Sequence, residues 1–432
     1  MTIEALYSIF EKYPSVQTDT RKLKTGDLFF ALKGPSFNGN AFAAQAIAAG
    51  AAYAIIDEEA FTTGPETILV EDVLTTLQEL ALYHRKQLNI PFIAITGSNG
   101  KTTTKELIHA VLSSAFHTST TEGNLNNHIG IPLTILKVKK DAELAVIEMG
   151  ANHQKEIASY CRYTLPTHGV ITNCGKAHLE GFGGVEGVRK GKGELYDYLR
   201  LNGGTAFVMW DYDYLQTMSK GIKEIVTYGT KDASINGHAI KSEPFLEIKL
   251  DHASFSTPLQ TQLVGAYNLP NVLVAVTIGL YFKVPAEKIH AAIESYSPSN
   301  SRSQLVKWGT NQVILDAYNA NPSSMAEALK NFEKTEAPHK VAIIGQMMEL
   351  GVYSQAEHEK IIATVSGSAW QNTLRVFVGG GFGMLKNTAA PHVLWFETTD
   401  EVKAWYTQQH FENTAILIKG SRKNELEKIL KD

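Results

Sequence analysis

The apolar run Phe92-Ile93-Ala94-Ile95-Thr96 leads straight into Gly97-Ser98-Asn99-Gly100-Lys101-Thr102-Thr103-Thr104, and a helix-forming stretch to Leu112 follows. Strand, glycine turn and helix in that order leave little choice of fold, because a strand apolar at nearly every position must be covered on both faces. The turn also carries chemistry. Gly97 and Gly100 let the backbone bend tightly and aim its N–H groups at one point, where the helix N-terminus adds partial positive charge. Lys101 supplies a full charge and the Thr102 hydroxyl a ligand for Mg²⁺, so Gly97 to Thr103, with Ser98 and Asn99, is expected to wrap the phosphates of ATP. Only two residues separate the glycines where the commoner loop has four, so Ile95 stands at the usual first glycine.

The alternation continues on both sides of this loop. Strands are expected at Leu144–Glu148, Gly169–Thr172 and Thr205–Met209, an antiparallel excursion across 231–264, and a helix over Asn268–Phe282. Past the polar Ser297-Pro298-Ser299-Asn300 a second series begins, with strands at Val313–Leu315, Val341–Ile344, Val376–Val378, Val393–Trp395 and Ile416–Ile418. Ahead of Pro91 the chain offers strands at Leu28–Leu32 and Tyr53–Ile56, and helices at Ala41–Ala52 and from Asp72 to about Lys86. A chain of 432 residues exceeds what one core supports. The expectation is an α/β protein of three domains. Residues 1–86 form a small α/β domain, 87–300 a central parallel-sheet domain around the phosphate loop, and 301–432 a doubly wound, Rossmann-like domain.

Composition removes several function classes. A net charge of −4 gives no basic footprint for nucleic acid. Two cysteines, Cys161 and Cys174, show neither metal spacing nor a disulfide framework, which fits a reducing, cytoplasmic setting. No apolar run reaches the roughly 20 residues of a membrane span, and the N-terminus lacks the apolar core of a signal peptide. No partner chain is called for, and a monomer is expected.

Further candidates sit where strands end. Glu148 closes Leu144–Glu148 and can hold Mg²⁺ at the sheet edge where ligands collect. His178 lies in the glycine-flanked loop Gly175-Lys176-Ala177-His178 after the next strand and is a second site candidate. Beyond it, Val188-Arg189-Lys190-Gly191-Lys192-Gly193 presents three basic residues, and chemistry alone does not choose among Arg189, Lys190 and Lys192.

Taken together, these motifs resemble the Mur ligase family, along essentially the whole chain. Thr96–Thr103 is similar to the family's shortened phosphate loop, and Asn126-Asn127-His128-Ile129-Gly130-Ile131-Pro132 resembles its central Asn-Asn segment. The resemblance implies Glu148 and His178 as Mg²⁺ ligands and Lys192 as the lysine the family carbamylates. It implies Asn268 and Asn271 on the adenine side, Arg302 at the γ-phosphate, and Asp316 and Tyr318 beside the nucleotide. Asp316-Ala317-Tyr318-Asn319-Ala320-Asn321-Pro322, Gly345-Gln346-Met347-Met348-Glu349-Leu350-Gly351 and Lys419-Gly420-Ser421-Arg422 resemble the branch that adds D-alanyl-D-alanine. Asn126, Asn127, Asn319 and Asn321 are then expected at substrate, although Asn321 before Pro322 also reads as a helix cap. Asp19-Thr20-Arg21 and Gly26–Gly34 resemble the family's nucleotide-sugar domain, which implies Thr20 and Arg21 as substrate contacts. Three departures stand out: Asn38-Gly39-Asn40 where Asp-Gly-His is common, Gln346 for an Asp, and Lys176 for a residue that is often acidic.

What the resemblance implies is an ATP-dependent ligase of cell-wall precursor synthesis with UDP-N-acetylmuramoyl-tripeptide as acid and D-alanyl-D-alanine as amine. Thr102 and Glu148 would serve the ATP-side Mg²⁺, and His178 with carbamylated Lys192 the second ion. A carboxylate is activated as an acyl phosphate, with Lys101 and Arg302 stabilising the migrating phosphoryl group. Arg302 and Asp316 lie in a different domain from the loop, so the C-terminal domain must close. Two rivals remain: a ligase of the same superfamily with another acid–amine pair, and a regulatory phosphate-loop ATPase.

Overall fold

In a computed structural model, which describes residues 1–298, 301–387 and 389–430, the chain folds around three main sheets, besides a two-stranded hairpin of Lys33–Gly34 and Phe37–Asn38. The first holds four parallel strands in the order Val16–Gln17, Leu28–Phe30, Tyr53–Ile56, Thr67–Leu69. Leu28, Phe29 and Phe30 are all buried, the outcome expected for a strand without polar positions. The helix anticipated over Ala41–Ala52 is shorter, Ala43–Ala48, preceded by a tight turn at Gly39–Phe42 that Asn38 caps. Helix Ile3–Lys12 buries Leu6, Tyr7 and Phe10, and Tyr7 Oη meets His84 Nδ1 of helix Val73–Gln87 at 3.1 Å.

That second helix serves two neighbours. It packs against Ile3–Lys12 on one side and against helices Gly130–Leu136 and Glu156–Thr164 on the other. His84 Nε2 meets the Val138 carbonyl at 2.8 Å, and Arg85 donates to the carbonyls of Thr164 and Leu165 with its guanidinium 3.8 Å above the Phe92 ring. A buried arginine with its donors satisfied by carbonyls is a fixed joint rather than a hinge.

The central sheet has nine strands, ordered Leu259–Gln260, Glu247–Leu250, Ile235–Lys241, Glu224–Gly229, Thr205–Met209, His168–Ile171, Phe92–Thr96, Leu144–Glu148, Thr118–Thr120. From Thr118–Thr120 to Ile235–Lys241 every pairing is parallel, and the last two strands turn antiparallel, as the alternation across 231–264 indicated. Phe92–Thr96, Leu144–Glu148 and Thr205–Met209 are buried throughout. Two strands went unanticipated, Thr118–Thr120 and Glu224–Gly229. Both are half-exposed and carry polar residues that mask the apolar signal.

The third sheet runs Gln304–Trp308, Asn311–Asp316, Thr414–Lys419, His339–Gly345, Thr373–Val378, Val393–Phe396. All its pairings are parallel except the first hairpin, whose outer strand was not anticipated. Of the linker Ser297–Asn300, Ser299 and Asn300 lie outside the described residues, as do Lys431 and Asp432 at the end of the expected third domain. No helix among the described residues is long and apolar enough to cross a membrane.

Candidate active site

The phosphate loop joins strand Phe92–Thr96 to helix Lys101–Ser113. Gly100 caps that helix in the left-handed region at φ 78, and Gly97 sits at φ 145, where an added Cβ would meet Thr172 Oγ1 at 2.0 Å. Neither position admits a side chain. The loop is braced by its neighbour in the sheet. Asn173 accepts from Ser98 N at its carbonyl (2.9 Å) and from Asn99 N at Oδ1 (3.2 Å), and Thr172 Oγ1 donates to the Asn99 carbonyl at 2.6 Å. Lys101 folds back so that Nζ donates to the carbonyls of Gly97 (2.8 Å) and Ser98 (3.2 Å). Desolvation holds its pKa below the usual lysine range; Glu148 opposes that shift and Arg302 adds to it. Thr102 is buried at the helix start, and both it and Thr103 line the cavity described below.

Glu148 ends its strand with 1% of its surface exposed. Oε1 accepts from Asn126 Nδ2 at 2.7 Å, while Oε2 is buried without a hydrogen-bond partner among the described residues. A buried carboxylate oxygen left bare suits a cation. His178 takes a left-handed conformation, φ 51, and its Nδ1 pairs with Glu349 of the C-terminal unit, whose carboxyl is held below the usual range first of all by that hydrogen bond. Of Arg189, Lys190 and Lys192 in helix Val185–Asn202, Lys190 is exposed and Arg189 pairs with Glu186 at 2.8 Å. Lys192 alone is buried: Nζ donates to the Ala151 carbonyl at 3.0 Å and lies 4.9 Å over the Phe182 ring. Burial above all, then the charge of Lys101, pushes its pKa down to about 7. Much of it is therefore a neutral amine at physiological pH, the nucleophilic form that can add to carbon dioxide. Lys192 does not itself line the cavity, although Ala151, its partner, does.

Among the described residues, no three His, Cys, Asp or Glu side chains cluster as a metal cage. The single buried carboxylate of Glu148, with Oε2 bare, and the Thr102 hydroxyl on the same cavity wall fit Mg²⁺, which takes one or two carboxylates and completes its shell with substrate phosphates and water.

The C-terminal unit supplies the opposite wall. Arg302 stacks on Tyr318 at 3.6 Å, with Arg422 at 5.8 Å from the same ring. Asp316 is paired with buried Lys419 at 2.5 Å and accepts from Ser303 N at 3.2 Å; Tyr267 of the central unit donates to Ser303 Oγ at 2.9 Å. Asn321 caps helix Pro322–Lys334, accepting from Ser324 N at 3.0 Å, and its Nδ2 reaches Asn99 Oδ1 in the phosphate loop at 2.7 Å. It is both a cap and a contact between units. Asn319 Oδ1 accepts from Ala320 N at 2.9 Å. Asn271 accepts from Thr104 Oγ1 at 3.0 Å and donates to Asn268 at 2.9 Å, so these two asparagines brace each other and the loop helix. Asn127 Oδ1 accepts from Ile129 N at 3.1 Å and Gly130 N at 2.8 Å in the turn that leads into helix Gly130–Leu136.

These walls enclose a cavity of about 1070 Å³. It gathers Ser98 to Thr103, Asn126, Asn127, Glu148, His178, Asn268, Asn271, Arg302, Asp316, Tyr318, Asn319 and Asn321 from chain stretches more than 200 residues apart. Thr20 and Arg21 are elsewhere, in the first unit, where Arg21 pairs with Asp19 at 2.8 Å and is largely exposed. The departure at Asn38-Gly39-Asn40 has a structural role: buried Asn40 donates to Asp57 Oδ1 at 2.8 Å and accepts from Asp57 N at 2.9 Å. Sequence reasoning missed Asp211, Tyr212, Thr230, Tyr267 and Glu327 on the cavity wall. Asp211 and Tyr212 follow the end of strand Thr205–Met209, a position that could have flagged them; Glu327, inside a helix, gives no such signal.

Fold and cavity together define a phosphate-loop α/β protein whose site is completed by a second doubly wound unit. Three family models match the chain: the Mur ligase family catalytic domain over residues 12–132, the Mur ligase middle domain over 95–279, and the Mur ligase glutamate ligase domain over 301–422. The chain belongs to the Mur ligase family. It is 34% identical over 429 residues to the UDP-N-acetylmuramoyl-tripeptide–D-alanyl-D-alanine ligase of Bacillus subtilis, covering 96% of this chain and 92% of the relative. Its identity to the Escherichia coli protein of the same description is 32%, over 96% and 93% of the two chains. A crystal structure of MurF from Acinetobacter baumannii superposes with a TM-score of 0.85 at 31% identity, covering 96% and 92%.

Proposed function

We propose that this chain is an ATP-dependent ligase that joins D-alanyl-D-alanine to UDP-N-acetylmuramoyl-tripeptide through an acyl phosphate, a step of peptidoglycan precursor synthesis. One observation carries the reading. A single cavity holds Lys101 and Thr102 of the phosphate loop, a buried carboxylate with a bare oxygen at Glu148, and Arg302 and Asp316 from the opposing unit.

The chemistry needs that convergence. A carboxylate repels nucleophiles and has no leaving group, so transfer of the γ-phosphoryl group turns it into an electrophile with phosphate as the group expelled. The loop N–H groups and Lys101 hold the phosphates in line with the acid, and Arg302, fixed by Tyr318, meets the charge that develops on the migrating group. Asp316 and Tyr318 serve the nucleoside end, with Asn268 and Asn271 behind the loop helix. Mg²⁺, held by Thr102 and Glu148 and a second time by His178 with carbamylated Lys192, would supply neutralisation between carboxylate and phosphate. Asn126 and Asn127 face the acid, Asn319 and Asn321 the amine side, and Thr20 and Arg21 the sugar nucleotide. Docking of the C-terminal unit keeps water from the acyl phosphate until the amine attacks. ATP dependence and the two free, buried cysteines support a cytoplasmic setting.

Phosphate release with ATP and both substrates tests the reading. Release is expected only when acid and amine are present together; equal release with ATP alone would make the protein a hydrolase instead.

A further inference from the structure

The loop after strand His168–Ile171 is held on two sides. Towards the phosphate loop, the Asn173 carbonyl accepts from Ser98 N at 2.9 Å and the Gly175 carbonyl accepts from Ser98 Oγ at 2.8 Å. Towards the C-terminal unit, Lys176 N donates to Ser323 Oγ at 2.9 Å and Lys176 Nζ to Glu357 Oε1 at 2.7 Å. Four consecutive residues therefore touch both bodies that must meet for reaction. Ser323 belongs to the helix that Asn321 caps, and Glu357 to helix Ser354–Val365.

We propose that Asn173–Lys176 is a strap coupling the phosphate loop to the C-terminal unit, and that Lys176, acting through Glu357, is a positioning residue that holds Arg302 and Asp316 in register over the loop. The proposal rests on the ligase reading and adds to it the device that sets the geometry between units. Glu357 is nearly buried, its side chain 8% exposed, and its other partner is Lys360 on its own helix at 2.9 Å. Removing Lys176 thus leaves the carboxylate paired and the helix intact, while one charge-assisted link across the units disappears and the His178–Glu349 pair remains. Nothing within the phosphate loop changes, so nucleotide is still bound. What weakens is the transmission from loop to unit.

Spin labels at Leu201→Cys and Glu412→Cys, both exposed positions, report the distance between the units, since Cys161 and Cys174 are buried. With a non-hydrolysable ATP analogue bound, the labelled parent is expected to show one short distance, and Lys176→Met a second, longer one. Coupling between sites is typically worth a factor of several to a hundred, and kcat should fall roughly tenfold in Lys176→Met while KM for ATP moves less than about threefold. Lys176→Arg should restore both readouts, and Glu357→Gln added to Lys176→Met should cost little more than Lys176→Met alone. A parent-like distance distribution with parent-like kcat in Lys176→Met overturns the strap, as does a failure of Lys176→Arg to recover. Should the parent release no phosphate with both substrates, the ligase reading falls, while the distance measurement still decides whether Lys176 holds the units together.

Discussion

At the scale of single residues, burial separates side chains that the sequence presents as equals. Arg189, Lys190 and Lys192 lie within four positions, and only the fold shows that Lys192 faces inwards with its ammonium charge disfavoured. Gly97 and Gly100 were legible because their role is local, set by the turn itself. Glu349 was legible as part of a motif but not as the partner of His178, because a pairing across 171 residues leaves no mark on spacing. Lys101→Ala is expected to lower kcat by roughly 10²–10³, the range for losing one preorganised charge at a transition state, in a single-turnover phosphate-release measurement. His168 offers a prediction on stability. It sits among Phe207, Tyr281 and Phe282, and burial, opposed by Glu224, pushes its pKa down to about 4. The unfolded chain takes up this proton first, near pH 6.5, so stability present above that pH is lost as pH falls towards 4. Denaturant unfolding should show about 3 kcal/mol of such loss between pH 7 and 4, absent in His168→Phe.

Among elements, the strands with unbroken apolar runs were the readable ones, and those that mix polar residues into a half-exposed face were not, whether at a sheet edge like Thr118–Thr120 or inside it like Glu224–Gly229. Phe92–Thr96, Leu144–Glu148 and Val341–Ile344 announce themselves by unbroken apolar runs, whereas Thr118–Thr120 and Gln304–Trp308 share their exposed side with solvent and blend into loops. Helix Pro322–Lys334 illustrates how one residue can serve the element and the site together. Asn321→Ala should lower stability by about 1 kcal/mol through loss of the cap and should also loosen the loop contact at Asn99. Asn321→Ser keeps a capping oxygen but is too short to reach Asn99. It should recover the melting temperature while leaving turnover impaired; equal recovery of both would show that capping alone matters.

For the whole molecule, a succession of α/β units could be read from the chain, but not the strand order within each sheet or how the bodies sit against one another. Lys176–Glu357, Asn99–Asn321 and Tyr267–Ser303 are pairings between units, and nothing in the periodicity of either partner specifies them. Because the nucleotide cavity exists only in the folded, docked chain, an ATP analogue at 100 times its Kd should stabilise the protein by about 2.7 kcal/mol in denaturant melts, and Lys101→Ala should remove most of that gain. Helix Val73–Gln87 has a last consequence. Arg85 and His84 anchor it to Thr164, Leu165 and Val138, while Tyr7 meets His84 and Asp57 accepts from Val73 N, so this one helix bolts the N-terminal sheet to the central body. A chain trimmed to its two larger bodies should therefore keep helix Val73–Gln87 together with the helix Ile3–Lys12 that covers its other face, because starting at Asn89 would strip Arg85 from above the Phe92 ring.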